Sequence, residues 1–309
     1  MSENISKEIR STLTPEGFIE LSIATTKKPV PLEHEVLVKV EASPINPSDL
    51  GLLISFAADL ESLNTRGSGD NTLTSMRVHP ALMGTMKSRL NQAMPVGNEG
   101  AGVIEASGSN STTLIGKLVG VAGGAMYSQF CCVPAHNCLI MNDDTLATEA
   151  ASSFVNPLTV LAFVETMRME NHHALLNTAA ASNLGKMLIK VCMDDAIPLV
   201  NIVRTDEQVK TLKELGADYV LNSSDQNFMR NLIEALTVTG ATLGFDATGG
   251  GNDGKLAGQI LAAMEVAANK KSKEYSRYGS DTYKQVYIYG GLDQSPTILN
   301  RSFGMQWGL

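Results

Sequence analysis

The sequence predicts an α/β protein in two parts: a β-rich domain over residues 1–150 and a doubly wound parallel sheet over 151–309. Three observations predict it. Apolar residues alternate with a period of two in the first half, as at Val36, Val38 and Val40. From Glu149 onward, short apolar runs alternate with helix-period stripes. The run His173–Gly216 reads strand, small-residue turn, helix, strand, helix, the layout of a βαβ unit.

The elements follow in order. Glu35–Glu41 is a strand, ended by Pro44 and Pro47. From Phe56 to Met94 the pattern weakens, and Arg66–Asn71 is a polar, turn-rich stretch expected to be a mobile loop. Strand patterning returns at Gly102–Glu105 and Lys117–Val121. Ala150–Arg168 is helical, interrupted or restarted at Pro157. Leu175–Asn177 is a short strand. Leu184, Met187, Leu188, Val191 and Cys192 then fall on one helix face. Leu199–Val203 is a strand, Thr205 with Gln208 opens a helix, and Gly216 stops it. Strands at Tyr219–Leu221, Leu243–Ala247 and Val286–Tyr289 alternate with helices striped by Met229, Leu232, Ile233 and Leu236, and by Leu256, Ile260, Met264 and Ala267. Lys270–Lys284 reads as a polar, solvated insert.

Composition narrows the class. Hydrophobic residues make up 43% of the 309 and charged residues 18%, enough for two cores. A net charge of −8 argues against a nucleic-acid or anionic-membrane surface. Of the four cysteines, Cys131 and Cys132 are adjacent, and no Cys/His spacing suits zinc, so no metal is expected. Met1–Asn4 opens no secretory signal and no apolar run is long enough to span a bilayer; a cytoplasmic setting is expected.

The turn Ala179–Gly185 carries chemistry. A pyrophosphate needs close backbone approach and N–H groups at a helix N-terminus. Ala179, Ser182 and Gly185 occupy the small positions, and Ala181, Ser182, Asn183, Leu184 and Gly185 are the candidate contacts. The bland reading is an Ala-rich helix start. The second strand ends in Arg204, where an acid would favour a free ribose 2′-hydroxyl; an arginine suits a 2′-phosphate, hence NADPH. Asp206, close by, reads as a first-turn helix acid.

These residues carry a family likeness. Asn46-Pro47-Ser48-Asp49, Gly97-Asn98-Glu99-Gly100-Ala101-Gly102, Val155-Asn156-Pro157-Leu158-Thr159, Ala179–Gly185, Leu215-Gly216-Ala217-Asp218 and Tyr289-Gly290-Gly291 stand in order from about Glu35 to Gly291. Together they resemble the medium-chain dehydrogenase/reductase superfamily, in particular its zinc-independent NADPH:quinone oxidoreductases. The resemblance implies a GroES-like catalytic domain, a Rossmann domain, and a cofactor in the cleft between them. It also implies a homodimer or homotetramer. Zinc-dependent members carry a histidine where this chain has Asn98.

The resemblance further implies hydride transfer from NADPH to a quinone or another electron-poor carbonyl compound. Asn46 and Asp49 would line the cleft, although Asx residues beside prolines also simply form turns. Thr159 would bond the nicotinamide half, or its own helix backbone. Asn156 fits a helix cap as well as a cofactor contact. Thr248 closes the fourth strand, over whose end the cofactor would lie, and Tyr289 and Gly290 close the fifth, near where the nicotinamide would sit. Tyr127 is a possible proton donor, or a core tyrosine of a strand. Enoyl-thioester reductases share several of these blocks, but their tyrosine after Asn-Pro-Ser-Asp is missing from Leu50–Phe56. A third reading is a catalytically silent NADPH-binding protein. Relatives continue beyond the point matching Leu309, so a C-terminal return segment is expected to be missing.

Overall fold

The computed structural model describes residues 4–55, 58–110, 112–272, 275–300 and 302–309. Phe56, at the head of the weakly patterned region, Met1–Glu3 of the N-terminus, and Lys273 and Glu274 of the polar insert lie outside the described residues. The chain divides into two compact units, Met1–Val155 and Asn156–Leu309.

The first unit is built from β1 (Ile5–Leu13), β2 (Phe18–Lys27), β3 (Glu35–Ala42), α1 (Pro47–Leu53), β4 (Ala58–Arg66), β5 (Leu73–Val78), β6 (Met94–Pro95), β7 (Glu99–Ser107), β8 (Leu118–Ala122), β9 (Phe130–Pro134), β10 (Cys138–Ile140) and α2 (Ala147–Ala150). They form two antiparallel sheets, ordered β4-β5-β2-β1-β6 and β10-β8-β7-β3-β9. Val36, Val38, Ile104, Val119, Val121 and Val133, one face of the second sheet, pack with Met126 into a core.

Two expectations are corrected here. The weakly patterned region holds two strands that the sequence does not predict, β4 and β5, which pair antiparallel, and the turn-rich Arg66–Asn71 stretch closes their hairpin through a short 3-10 turn. Polar side chains on an edge strand conceal it from a hydrophobic pattern. Tyr127 lies outside the named strands, in the bend between β8 and β9, and its hydroxyl donates to the Pro44 carbonyl at 2.8 Å. Burial and nearby Asp49 push that phenol further from ionisation.

The second unit runs α3 (Val155–Met169, entered from the first unit), β11 (Leu175–Asn177), α4 (Asn183–Asp194), β12 (Leu199–Val203), α5 (Asp206–Glu214), β13 (Tyr219–Asn222), α6 (Phe228–Thr239), β14 (Leu243–Asp246), α7 (Leu256–Lys271), β15 (Lys284–Ile288) and β16 (Trp307–Gly308). The sheet is wholly parallel, ordered β13-β12-β11-β14-β15-β16. The strand order reverses between β11 and β14, the crevice where open α/β sheets take ligands. One face is covered by α3, α4 and α5 over Leu175, Leu199, Val203 and Phe245. The other is covered by α6 and α7 over Leu176, Val200 and Ile202. The strands are largely apolar on both faces, as a doubly covered sheet requires.

The polar insert is also corrected. Lys284 is completely buried; its ammonium donates to Glu265 Oε2 (2.6 Å), Ser280 Oγ (3.0 Å) and the Thr282 carbonyl (2.6 Å). Glu265 on α7 also accepts from Asn269 and from the Ser280 amide, both at 2.7 Å. Burial alone would raise the Glu265 pKa; the bonds from Lys284, Ser280 and Asn269 overcome it and bring it to about 2. The insert is therefore anchored at its C-terminal end by a fully paired buried ion pair.

Candidate functional site

At the carboxyl ends of the central strands of the second unit, a cavity of about 470 Å³ is lined by the 178–182 turn, the end of β12, Thr248 and the 251–253 loop. Its size suits a small-molecule site. The turn enters through Ala179, whose φ of +49° is left-handed and strained for a residue with a Cβ. Asn252 and Asp253, at φ of +54° and +55°, line the same cavity. Strained backbone concentrates at functional sites because only the surrounding structure holds it. Replacing Ala179 with glycine should therefore raise stability by about 1 kcal/mol in thermal unfolding. No gain would show that the turn relaxes without cost.

Ser182 is the N-cap of α4, its Oγ accepting from the Gly185 amide at 3.1 Å. Its hydroxyl proton remains available to an anion. The Asn183 and Leu184 N–H groups have no intrahelical acceptor, as at any helix start. Gly185 is the glycine the packing demands: a Cβ there would lie 2.2 Å from the Ala180 carbonyl oxygen. Gly185→Ala should push α4 off the turn and cost about 2 kcal/mol in urea unfolding, whereas Lys186→Ala, one residue on, should cost little.

Asp246 at the end of β14 ties the crevice together. Its Oδ1 accepts from Thr178 Oγ1 (2.7 Å), Thr248 Oγ1 (2.7 Å) and the Thr248 amide (2.9 Å). Thr178 Oγ1 in turn accepts from the Ala247 amide at 2.9 Å. The ends of β11 and β14 are thus locked at the point where the strand order reverses.

Arg204 lines the cavity beyond the end of β12, and its backbone amide donates to Gln208 Oε1 at 3.0 Å. The Thr205 hydroxyl accepts from the Gln208 amide at 3.2 Å, so the cap box of α5 is displaced by one residue toward Arg204. Asp206 is turned to Asn222 Nδ2 at 2.8 Å and is not among the lining residues.

Of the residues singled out from sequence, Ala179, Ala181, Ser182, Arg204 and Thr248 line the cavity. Asn183, Leu184 and Gly185 build the helix start behind it. Asn156 and Thr159 lie in the N-terminal half of α3 and are not among the lining residues. Tyr289 packs edge-on against Phe163 at 4.9 Å, and Gly290 presses against the Ala247 carbonyl. Sequence reasoning missed Ser223, Asn252, Asp253 and Asp293, which also line the cavity. They stand in irregular segments where no periodicity marks a position.

In the first unit, Asn46 and Asp49 make a brace. Asp49 is completely buried; Oδ2 accepts the Asn46 amide (2.7 Å) and Oδ1 the Asn98 amide (2.8 Å). Asn46 Nδ2 donates to Glu99 Oε1 at 2.8 Å. Glu99 Oε2 accepts the amides of Phe154 and Val155, each at 2.9 Å. Among the described residues no group of His, Cys, Asp and Glu is arranged to hold a metal. No helix among them is long and apolar enough to cross a membrane.

No protein-family model matches the chain. It is 28% identical over 205 residues to a mitochondrial enoyl-[acyl-carrier-protein] reductase of Caenorhabditis elegans, covering 63% of this chain and 51% of that protein. The corresponding reductase of Xenopus tropicalis is 27% identical over 201 residues, covering 62% and 49%. The chain thus spans about half the length of these curated relatives. A solved structure from Mesorhizobium loti named for NADPH:quinone reductase superposes with a TM-score of 0.67 at 25% identity, covering 96% of this chain and 77% of that one. A mycobacterial protein solved with NADPH superposes at 0.65 with 18% identity, covering 98% and 80%, a likeness of fold alone. With its antiparallel first unit and the parallel β13-β12-β11-β14-β15-β16 sheet of its second, the chain is thus similar to reductases of the medium-chain dehydrogenase/reductase superfamily.

Proposed function

We propose that the chain is a zinc-independent oxidoreductase that uses NADPH to reduce a quinone or another electron-poor carbonyl compound. The observation that carries this reading is the cavity bounded by the strained 178–182 turn, the N-terminus of α4 and Arg204. The donor set fits the cofactor. Ala181, Ser182, Asn183, Leu184 and Gly185 would hold the pyrophosphate through helix-start N–H groups and the Ser182 hydroxyl. Arg204 would pair with the 2′-phosphate. Thr248, with Asn156, Thr159, Tyr289 and Gly290, is assigned to the nicotinamide half.

The bound cofactor would supply the hydride; the protein supplies orientation and a shaped pocket. Asn46 and Asp49 belong to the proposal with a narrowed role: their bonds hold the Asn98–Glu99 segment in place. Asp49→Asn should lower stability, because one buried carboxylate oxygen that accepts an amide becomes a donor. The proposal includes a small-molecule substrate, a homodimeric or homotetrameric assembly, and a cytoplasmic setting.

A second reading, an enoyl-thioester reductase, is favoured by the curated relatives named above. Purified protein with NADPH separates the readings. Loss of nicotinamide absorbance with a benzoquinone supports the first, and loss only with a crotonyl thioester supports the second. A change of NADPH fluorescence with turnover of neither would identify a silent binder. No binding at all would overturn the cofactor assignment.

A further inference from the structure

Beneath the 179–185 turn, two asparagines interrupt an otherwise apolar layer. Asn177 ends β11 and Asn201 lies in the middle of β12; both are buried, at 0% and 1% exposure. They are register partners in the parallel pair, so their carboxamides leave the sheet on the same face. Their neighbours in that layer are Phe245, opposite Asn177, and Val220, opposite Asn201, both in the apolar core under α4 and α5.

The carboxamides are poorly served by protein groups. Asn201 Nδ2 reaches the Tyr219 carbonyl at 3.3 Å and the Leu199 carbonyl at 3.5 Å. Asn201 Oδ1 and both polar side-chain atoms of Asn177 have no hydrogen-bond partner among the described residues. Buried amides in this state are costly, and native proteins resolve them. The unpaired set is one N–H donor group and two carbonyl acceptors. That complements a single water molecule, which accepts one hydrogen bond and donates two. The site is also coupled to the turn: the Ala180 amide donates to the carbonyl of Ile202, the residue after Asn201, at 3.2 Å.

We infer that Asn177 and Asn201 hold one internal water between their carboxamides, and that this bridge fixes the spacing of β11 and β12 on which the 179–185 turn rests. The two asparagines are thereby positioning residues for the turn. The water site stands on the unpaired amides; only its effect on cofactor affinity rests on the NADPH reading.

A high-resolution crystal structure of the full chain tests the site directly. Density for a water within about 3.2 Å of both carboxamides is expected. A direct amide–amide bond or a dry contact would overturn the inference. Asn177→Leu, Asn201→Leu and the double variant test the positioning role by urea unfolding and NADPH fluorescence titration. Each single variant should lose stability and weaken NADPH binding several-fold, because the other amide is left unpaired. The double variant should lose less stability than the sum. Additive losses, a single variant more stable than the parent, or unchanged NADPH affinity in folded single variants would sink the positioning role. Should the variants not fold, the density decides. A parent protein that binds no NADPH would remove the proposed function while leaving the water to be decided by the density.

Discussion

Replacing Lys284 with methionine should cost about 3–5 kcal/mol and lower the unfolding midpoint by roughly 10 °C. The reason is the state of the partner left behind. Glu265 is 5% exposed, and its Oε2 takes the Lys284 ammonium at 2.6 Å. Without the ammonium, a carboxylate stays in the core with only Ser280 and Asn269 to bond it. Gly279 and Gly304 close tightly around it, where a Cβ would come within 2.5 Å and 2.6 Å of its oxygens, so the pocket cannot open to water cheaply. The double variant Glu265→Leu/Lys284→Met should recover much of the loss, because neither charge is then stranded. A single-variant loss below about 1 kcal/mol would mean that the pair is hydrated in solution.

The same pair sets an acid limit. The Glu265 pKa in the folded chain, about 2, lies below its ordinary 4.5. A depressed carboxylate stabilises the fold above its unfolded pKa, and that contribution disappears as pH falls toward the folded value. It is worth roughly 3 kcal/mol, lost progressively between about pH 5 and pH 2. Urea midpoints measured through that window should fall steeply for the parent chain and less steeply for Lys284→Met.

Arg204→Ala should weaken NADPH binding by roughly ten- to a hundredfold and leave NADH binding nearly unchanged. A guanidinium can pair with two phosphate oxygens at once, and only NADPH carries the 2′-phosphate. The effect should shrink at high salt, since Arg204 is exposed at the cavity rim. Titration of both cofactors by fluorescence at two ionic strengths checks it. Equal losses for the two cofactors would show that Arg204 does not read the phosphate. Asp293, on the same cavity, is held below its ordinary carboxylate pKa chiefly by the Ser295 amide, with a smaller contribution from Arg204. Asp293→Asn should favour NADPH, by removing a negative charge from beside the proposed 2′-phosphate site.

The parallel half was legible in the sequence because its signals are local. Leu175–Asn177 and Leu199–Val203 are short apolar runs bounded by turn residues, and both are strands at those limits. Thr205 caps α5 and Gly216 ends it in a left-handed conformation, as their residue types require. β4 was illegible: its burial pattern is almost wholly exposed, so no alternation separates it from a loop. Its pairing with β5 decides it. Lys284 was illegible for the opposite reason. Lysine is ordinarily solvated, and only a partner 19 residues away in the chain explains its burial.

The sequence by itself determined the order of strands and helices, the Ser182 cap and the small-residue turn, because residue type acts through near neighbours. The tertiary structure alone decided which of these residues share a cavity. Arg204, Thr248 and Asp293 are far apart in the chain and meet because β12, β11, β14 and β15 lie side by side with their carboxyl ends together. It also decided that Asn177 and Asn201 stand adjacent and that Lys284 meets Glu265. Burial and pairing depend on strand register and helix packing, which bring together groups that local sequence signals treat separately.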